Sequence, residues 1–205
     1  MPRMLERVST SAARWHEHAA AVVGRGPLQQ WLSDRGSLTA RLQARCQQFR
    51  VQRLSQQQAR CLPDEAGLLG LPRACQTHER EVILRCDAQA IIYGHTVVPL
   101  TATAAQWPLF AALGEQSLGT TLFHDPLVIR GPLSFARLHP RHPLMQRLRQ
   151  ILPEISATSL PARRSLFWRK AGVLLVTEVF LPALAQLPAA VYEKRAFVEQ
   201  TTLRR

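Results

Sequence analysis

The chain has 205 residues, 46% of them hydrophobic, which is enough for one domain with a proper core and short for two. Lys and Arg number 26 against 14 Asp and Glu, and the resulting +12 points to an anionic partner: nucleic acid, a membrane surface or a small polycarboxylate. The positive charge is scattered, with no basic block and no zinc-finger or basic-zipper spacing, so nucleic acid rests on net charge alone; and no apolar run reaches the ~18 residues of a membrane span, because Glu178 and Pro182 interrupt the best one.

Cys46, Cys61, Cys75 and Cys86 form no CxxC pair, which is unlike a metal site, and no secretory signal is visible, so free thiols in a cytoplasmic protein are expected. The Arg-containing start has the look of a transit peptide, but Glu6 and Glu17 argue against one. Residues 1–26 are read as a variable, partly helical extension that ends at the break Gly24-Arg25-Gly26-Pro27.

After the break, residues 28–33 form a short helix that exits through Asp34-Arg35-Gly36, and Ser37 caps a second helix from 38 to about 48. Such a pair is either a packed cap or a movable lid. Residues 50–60 read as an edge strand, 61–72 as a Pro- and Gly-punctuated loop, and 80–87 with 91–99 as a hairpin turning at 88–90. Residues 105–114 read as a helix ending at glycine, 120–123 as a turn, 127–138 as strand, and 141–161 as a proline-bounded loop with some helix. A second hairpin joins 166–169 to 173–181 across Lys170-Ala171-Gly172, and residues 185–205 form a polar, helical tail.

Neighbouring hairpins imply an antiparallel sheet, and strands apolar on both sides imply helices over at least one face: a single α+β domain spanning 27–184. The run Val173 to Pro182 is the most strand-like of all, yet it carries Glu178 on the side of Leu174, Val176 and Phe180. A carboxylate there is either ion-paired structurally or poised as an acid or base in an apolar pocket. No glycine-rich phosphate loop, GxSxG elbow or HExxH helix is present.

Four blocks in order, Arg80-Glu81-Val82-Ile83-Leu84, Gly94-His95-Thr96-Val97-Val98-Pro99, Leu118-Gly119 followed by Leu122-Phe123, and Thr177-Glu178-Val179-Phe180-Leu181-Pro182, resemble the bacterial chorismate lyases. Trp31-Leu32 and Ser37-Leu38-Thr39 upstream are similar to the family as well. The resemblance implies a sheet of about six antiparallel strands with helices on one face, in an enzyme that converts chorismate to 4-hydroxybenzoate and pyruvate at the first committed step of ubiquinone biosynthesis. Aromatisation drives that reaction, so no metal or cofactor is expected, and a monomer is the default expectation. It also implies that Arg80 meets the ring carboxylate, Glu178 the ring hydroxyl, and the backbone amides of Leu38 and Leu118 the ligand. A guanidinium fork suits a carboxylate, although an arginine beside Glu79 also reads as a surface ion pair.

One departure stands out: His95 occupies a position where the family usually has an arginine. A histidine is mostly neutral near pH 7 and would hold the enolpyruvyl carboxylate less firmly, leaving Arg130 as a substitute cation, and His95 reads equally well as a structural residue. The same fold also serves as the effector-binding domain of bacterial regulators, so a non-catalytic domain that binds or senses an aromatic carboxylate is the alternative. That reading expects a helix-turn-helix domain upstream of the first family-like block.

Overall fold

The computed structural model describes residues 12–72, 75–103, 106–108 and 110–188. Two hairpins form its centre. Strand β2 (Gln76–Cys86) returns as β3 (Gln89–Pro99), and β6 (Leu160–Arg169) returns as β7 (Gly172–Phe180). Each turns over two residues, the first of which, Asp87 or Lys170, takes φ 54°, the left-handed backbone that tight hairpins require. The first turn therefore lies at 87–88, not at 88–90.

The hairpins join through β3 and β7, giving the order β1-β2-β3-β7-β6-β4, with β5 sharing the far side of β6; every pairing is antiparallel. Strand β1 (Phe49–Arg60) is the expected polar edge, burying only Val51. Among the described residues there are seven strands, because the run 127–138 splits into β4 (Val128–Arg130) and β5 (Ser134–Leu138). Pro132 cannot donate to a ladder, and Gly131 passes so close to the Trp168 ring that a Cβ would lie 2.6 Å from it.

Helices cover both faces, not one. On the first face α1 (Pro27–Ser33) and α2 (Leu38–Gln43) bury Trp31, Leu32, Leu38 and Leu42 against Val82, Ile92 and Phe180. Farther along that face α4 (Leu118–His124) packs Leu118 and Leu122 on Val98, Phe167 and Leu174. On the second face α5 (Pro143–Ile151) lays Leu144, Met145 and Leu148 on Ile83, Tyr93, Ala162 and Val179, while Cys61, Ala66 and Leu69 of the 61–72 loop cover Val97 and Leu175. Each face thus has two apolar clusters, and the polar residues of the central strands fall between them.

Several boundaries moved for local reasons. Helix α2 stops at Gln43, since Asp87 Oδ1 accepts from the N–H groups of Gln47 and Gln48 and draws the chain into a turn. The helix expected over 105–114 is absent from its described residues, where Pro108 breaks the run; a single turn, α3 (Leu100–Thr103), precedes it. Conversely, the turn at 120–123 belongs to α4, and α5 emerges from the supposed loop, started by Pro143 and capped by His142 Nδ1.

The stretch 1–26, read as an extension, is part of the body over its described residues. His16 pairs with the Phe135 backbone, and Ala19, Val22 and Val23, at i, i+3 and i+4, join the cluster under α1. At the other end a 3-10 turn, Pro182–Gln186, buries Leu184 in the same cluster, and the rest of the expected tail, from 189, lies outside the described residues. No helix among the described residues is long and apolar enough to cross a membrane. Leu148→Ala should cost about 2–5 kcal/mol in urea unfolding and Leu148→Met less than about 1.5, because α5 contributes its stability through packing.

Candidate active site

Between the two clusters of the first face lies a cavity of about 650 Å³, its mouth included. Strand alternation sends Arg80 and Val82 of β2, Gly94 and Thr96 of β3, Val176 and Glu178 of β7, and Arg163 and Ser165 of β6 into it. Leu38 and Thr39 from α2 and Leu118 and Leu122 from α4 close it above. Three guanidiniums, of Arg80, Arg130 and Arg163, line it against one carboxylate, so the cavity favours an anion.

Arg80 is 2% exposed and has no acidic partner among the described residues. Its Nη2 donates to the carbonyls of Gly114 and Gln116, at 3.0 and 2.9 Å, and these orient the guanidinium. Its buried Nε has no hydrogen-bond partner there. Burial, with Arg53 nearby, pushes the group down to about 10, so an anion beside it would restore what desolvation takes away. The surface pairing with Glu79 does not occur; that carboxylate lies on the other face, with Arg147.

At the opposite end Glu178 receives Arg163 Nε at 2.5 Å. The two residues are directly opposed across β6 and β7, and Gly94 opposes Glu178 on the other side, leaving the carboxylate room over β3. Arg163 is 1% exposed, and its Nη1 donates to the carbonyls of Trp31, Leu32 and Asp34, the unpaired end of α1. The apolar strand thus tolerates its acid because a buried cation answers it, and the same cation ties α1 down.

Arg130 enters from β4. Its Nη1 donates to the Arg35 carbonyl at 2.9 Å, its guanidinium lies over Phe123 and Phe167 at 5.5 and 5.4 Å, and its buried Nε has no partner among the described residues. Burial pushes this group down to about 10 as well, Glu178 opposing the shift and Arg163 adding to it. The cavity is therefore lined by one guanidinium without an acidic partner among the described residues at the Arg80 end and a second at the Glu178 end.

Helices α2 and α4 meet above the cavity through the Thr39 and Ser117 hydroxyls, 2.6 Å apart. Gly119 makes the approach possible, as a Cβ there would sit 2.8 Å from Thr39 Oγ1. Leu38 and Leu118 each head a helix, so their N–H groups have no intrahelical carbonyl to meet.

His95 is not in the cavity. It alternates with Gly94 and Thr96, so its fully buried ring lies on the second face, with Nε2 3.0 Å from Glu65 Oε1 and Nδ1 3.3 Å from Glu81 Oε1. Its expected contact with substrate is corrected accordingly; the alternation that places Glu178 would have shown it. Glu79, Glu81 and His95 have ligand atoms within 4.8 Å of one another, the spacing of a metal site, but Arg147 Nη1 already sits on both carboxylates at 2.9 and 2.6 Å.

Arg80, Glu178, Leu38 and Leu118 do converge on one cavity, joined by Arg130. Arg163 was missed because β6 begins earlier than a run holding Pro161 and two arginines suggests. The chorismate lyase profile matches residues 10–189.

The chain belongs to the chorismate lyase family. It is 51% identical over 163 residues to a probable chorismate pyruvate-lyase of Cupriavidus pinatubonensis, covering 79% of this chain and 84% of that one. It is 42% identical over 170 residues to a probable chorismate pyruvate-lyase of Nitrosomonas europaea, covering 83% and 95%. Among solved structures, PhnF from Mycobacterium smegmatis is similar with a TM-score of 0.50 at 14% identity, over 73% of this chain and 65% of that one. A GntR-family transcriptional regulator from Bacillus cereus gives 0.50 at 12%, over 65% and 92%. At such identities the likeness is one of fold.

In this chorismate lyase family member Arg163→Met should lose about 3–5 kcal/mol in urea unfolding, since it strands both Glu178 and the carbonyls of α1. Arg163→Met combined with Glu178→Met should recover part of that loss.

Proposed function

We infer that this chain is a chorismate pyruvate-lyase, taking chorismate to 4-hydroxybenzoate and pyruvate. The observation that carries the reading is the pairing, in one apolar cavity of a family member, of a buried guanidinium without an acid at one end and a carboxylate at the other. Chorismate is a dianion with a ring hydroxyl, and the cavity has complementary groups for each.

In the reaction the ether bond between the ring and the enolpyruvyl oxygen breaks and the hydrogen on the hydroxyl-bearing ring carbon leaves as a proton. The ring becomes aromatic, and the released enolpyruvate takes up a proton to become pyruvate. Aromatisation supplies the driving force, so the protein's task is to position the dianion, stabilise the departing enolate and receive the proton.

Arg80 takes the ring carboxylate, its guanidinium lining the cavity without an acidic partner among the described residues and its Nη2 held by carbonyls. Glu178 contacts the ring hydroxyl and assists proton removal, held in place by Arg163. Arg130, at the Glu178 end, takes the enolpyruvyl carboxylate in the place first given to His95. The amides of Leu38 and Leu118 donate to the ligand from above. The Thr39–Ser117 contact keeps the two helices closed, excludes water and makes 4-hydroxybenzoate slow to leave.

Mixing the purified protein with chorismate and following both products by chromatography tests the reading, with equal yields expected. Arg80→Ala should raise KM at least tenfold, in round terms, and Arg80→Lys should restore little, because an ammonium lacks the fork. Glu178→Gln should lower kcat by roughly 10²–10⁴. Full turnover in that variant would leave Glu178 only the task of orienting the hydroxyl.

A further inference from the structure

The face of the sheet away from the cavity carries a buried acidic cluster that takes no part in the chemistry. Glu79 and Glu81 flank Arg80 on β2, and alternation turns both away from the cavity that Arg80 enters. On β3 His95 lies directly opposite Glu81, between two cavity-lining residues, Gly94 and Thr96. Glu65 arrives from the 61–72 loop, anchored by the Leu62 N–H at 3.2 Å, with the Cys61 thiol 3.9 Å away. All three carboxylates and the imidazole are buried.

The imidazole is the hub. Nε2 lies 3.0 Å from Glu65 and 4.0 Å from Glu79, and Nδ1 lies 3.3 Å from Glu81. From α5, Arg147 reaches Glu79 and Glu81; from β3, the Tyr93 hydroxyl donates to Glu81 at 2.7 Å. Farther out Asp64 stands between Arg164 and His142, at 3.6 and 3.5 Å. Arg147 answers Glu79 and Glu81, and Arg164 lies near Asp64 and Glu65, so four carboxylates against two guanidiniums leave an excess of negative charge, which a protonated His95 reduces.

We propose that His95, as an imidazolium, is a positioning residue for Arg80: it holds Glu79 and Glu81 against the sheet, and so fixes the β2 segment that aims the Arg80 guanidinium into the cavity. The inference rests on the cavity being the chorismate site. With a neutral group at 95, Arg147 alone must balance Glu79 and Glu81 beside Glu65, and the unrelieved repulsion falls on the β2 segment that also carries Arg80.

The titration agrees with the geometry. Burial alone would lower His95, but Glu65, Glu81 and Glu79 outweigh it and raise the group to about 10. Burial likewise opposes ionisation of Glu81, yet His95, Tyr93 and Arg147 hold it down at about 2. A raised histidine stabilises the fold in full below its ordinary value of 6.5, and this contribution is lost as pH climbs toward about 10.

The test combines chorismate kinetics with equilibrium binding of benzoate, a ring carboxylate with no hydroxyl to titrate. His95→Gln should raise the chorismate KM and the benzoate Kd roughly tenfold to a hundredfold while kcat changes little, since Arg80 grips the carboxylate equally in ground and transition states. His95→Arg, which keeps a permanent cation, should restore both, and Glu65→Gln added to His95→Gln should recover most of the loss. Unchanged KM and Kd in His95→Gln, or no rescue of either by His95→Arg, would overturn the proposal. So would one equivalent of Zn²⁺ retained on dialysis by the unaltered protein and lost in His95→Gln, which would make the cluster a metal site. Intact chorismate in the unaltered protein would defeat the lyase reading instead, and benzoate binding would still decide the role of His95.

Discussion

Arg163 ties two parts of the molecule to the strand that carries it. Its Nε meets the carboxylate that interrupts the central strand, and its Nη1 meets the carbonyls where α1 ends. Without that cation Glu178 would be an uncompensated charge in an apolar strand, and α1 would end on unsatisfied carbonyls above it. The residues just after α1 lead directly into α2, the half of the roof that carries Leu38 and Thr39. The orientation of the acid and the placement of the roof thus depend on one buried side chain that need not touch the substrate.

The sheet separates two charged layers. Arg80, Arg130 and Arg163 make the cavity side cationic, while Glu65, Glu79 and Glu81 make the layer beneath it acidic. Alternation along β2 is what interleaves them, as Glu79, Arg80 and Glu81 point in turn to one face and the other. Each layer is buried between apolar clusters, where charges are weakly screened, and each is partly answered within itself: Glu178 on one side, His95 and Arg147 on the other. What is left over on the cavity side is positive, which is the property a dianionic substrate requires.

Much of this was legible in the residues. The β-branched runs around 80–99 and 166–181 declared the two hairpins, and an acid amid Leu174, Val176 and Phe180 called for either a structural ion pair or a site; it has its ion pair in Arg163 and also lines the cavity. Arg80 followed from the family resemblance, since the residues alone read as well as a surface ion pair with Glu79. The misses share a cause: polar residues that bury themselves by pairing look like loop. Residues Leu160–Arg169 form a strand although Pro161, Arg163 and Arg164 interrupt its apolar character, because those arginines find Glu178 and the Asp64 carbonyl. Helix α5 hid among charged residues, although Leu144, Met145 and Leu148 share one face and Pro143 marks its start. His95 was assigned by its neighbours in sequence when the strand period had already turned it to the other face.

The central claim is that an aromatic carboxylate lies across this cavity with its carboxylate on Arg80 and its para hydroxyl on Glu178. A crystal structure of the protein grown with 4-hydroxybenzoate tests it most directly. The account predicts the carboxylate within hydrogen-bond distance of the Arg80 guanidinium and the hydroxyl on Glu178, beneath the closed Thr39–Ser117 contact. Product bound with its carboxylate at Arg130 and its hydroxyl toward Arg80, or bound outside this cavity, would contradict it.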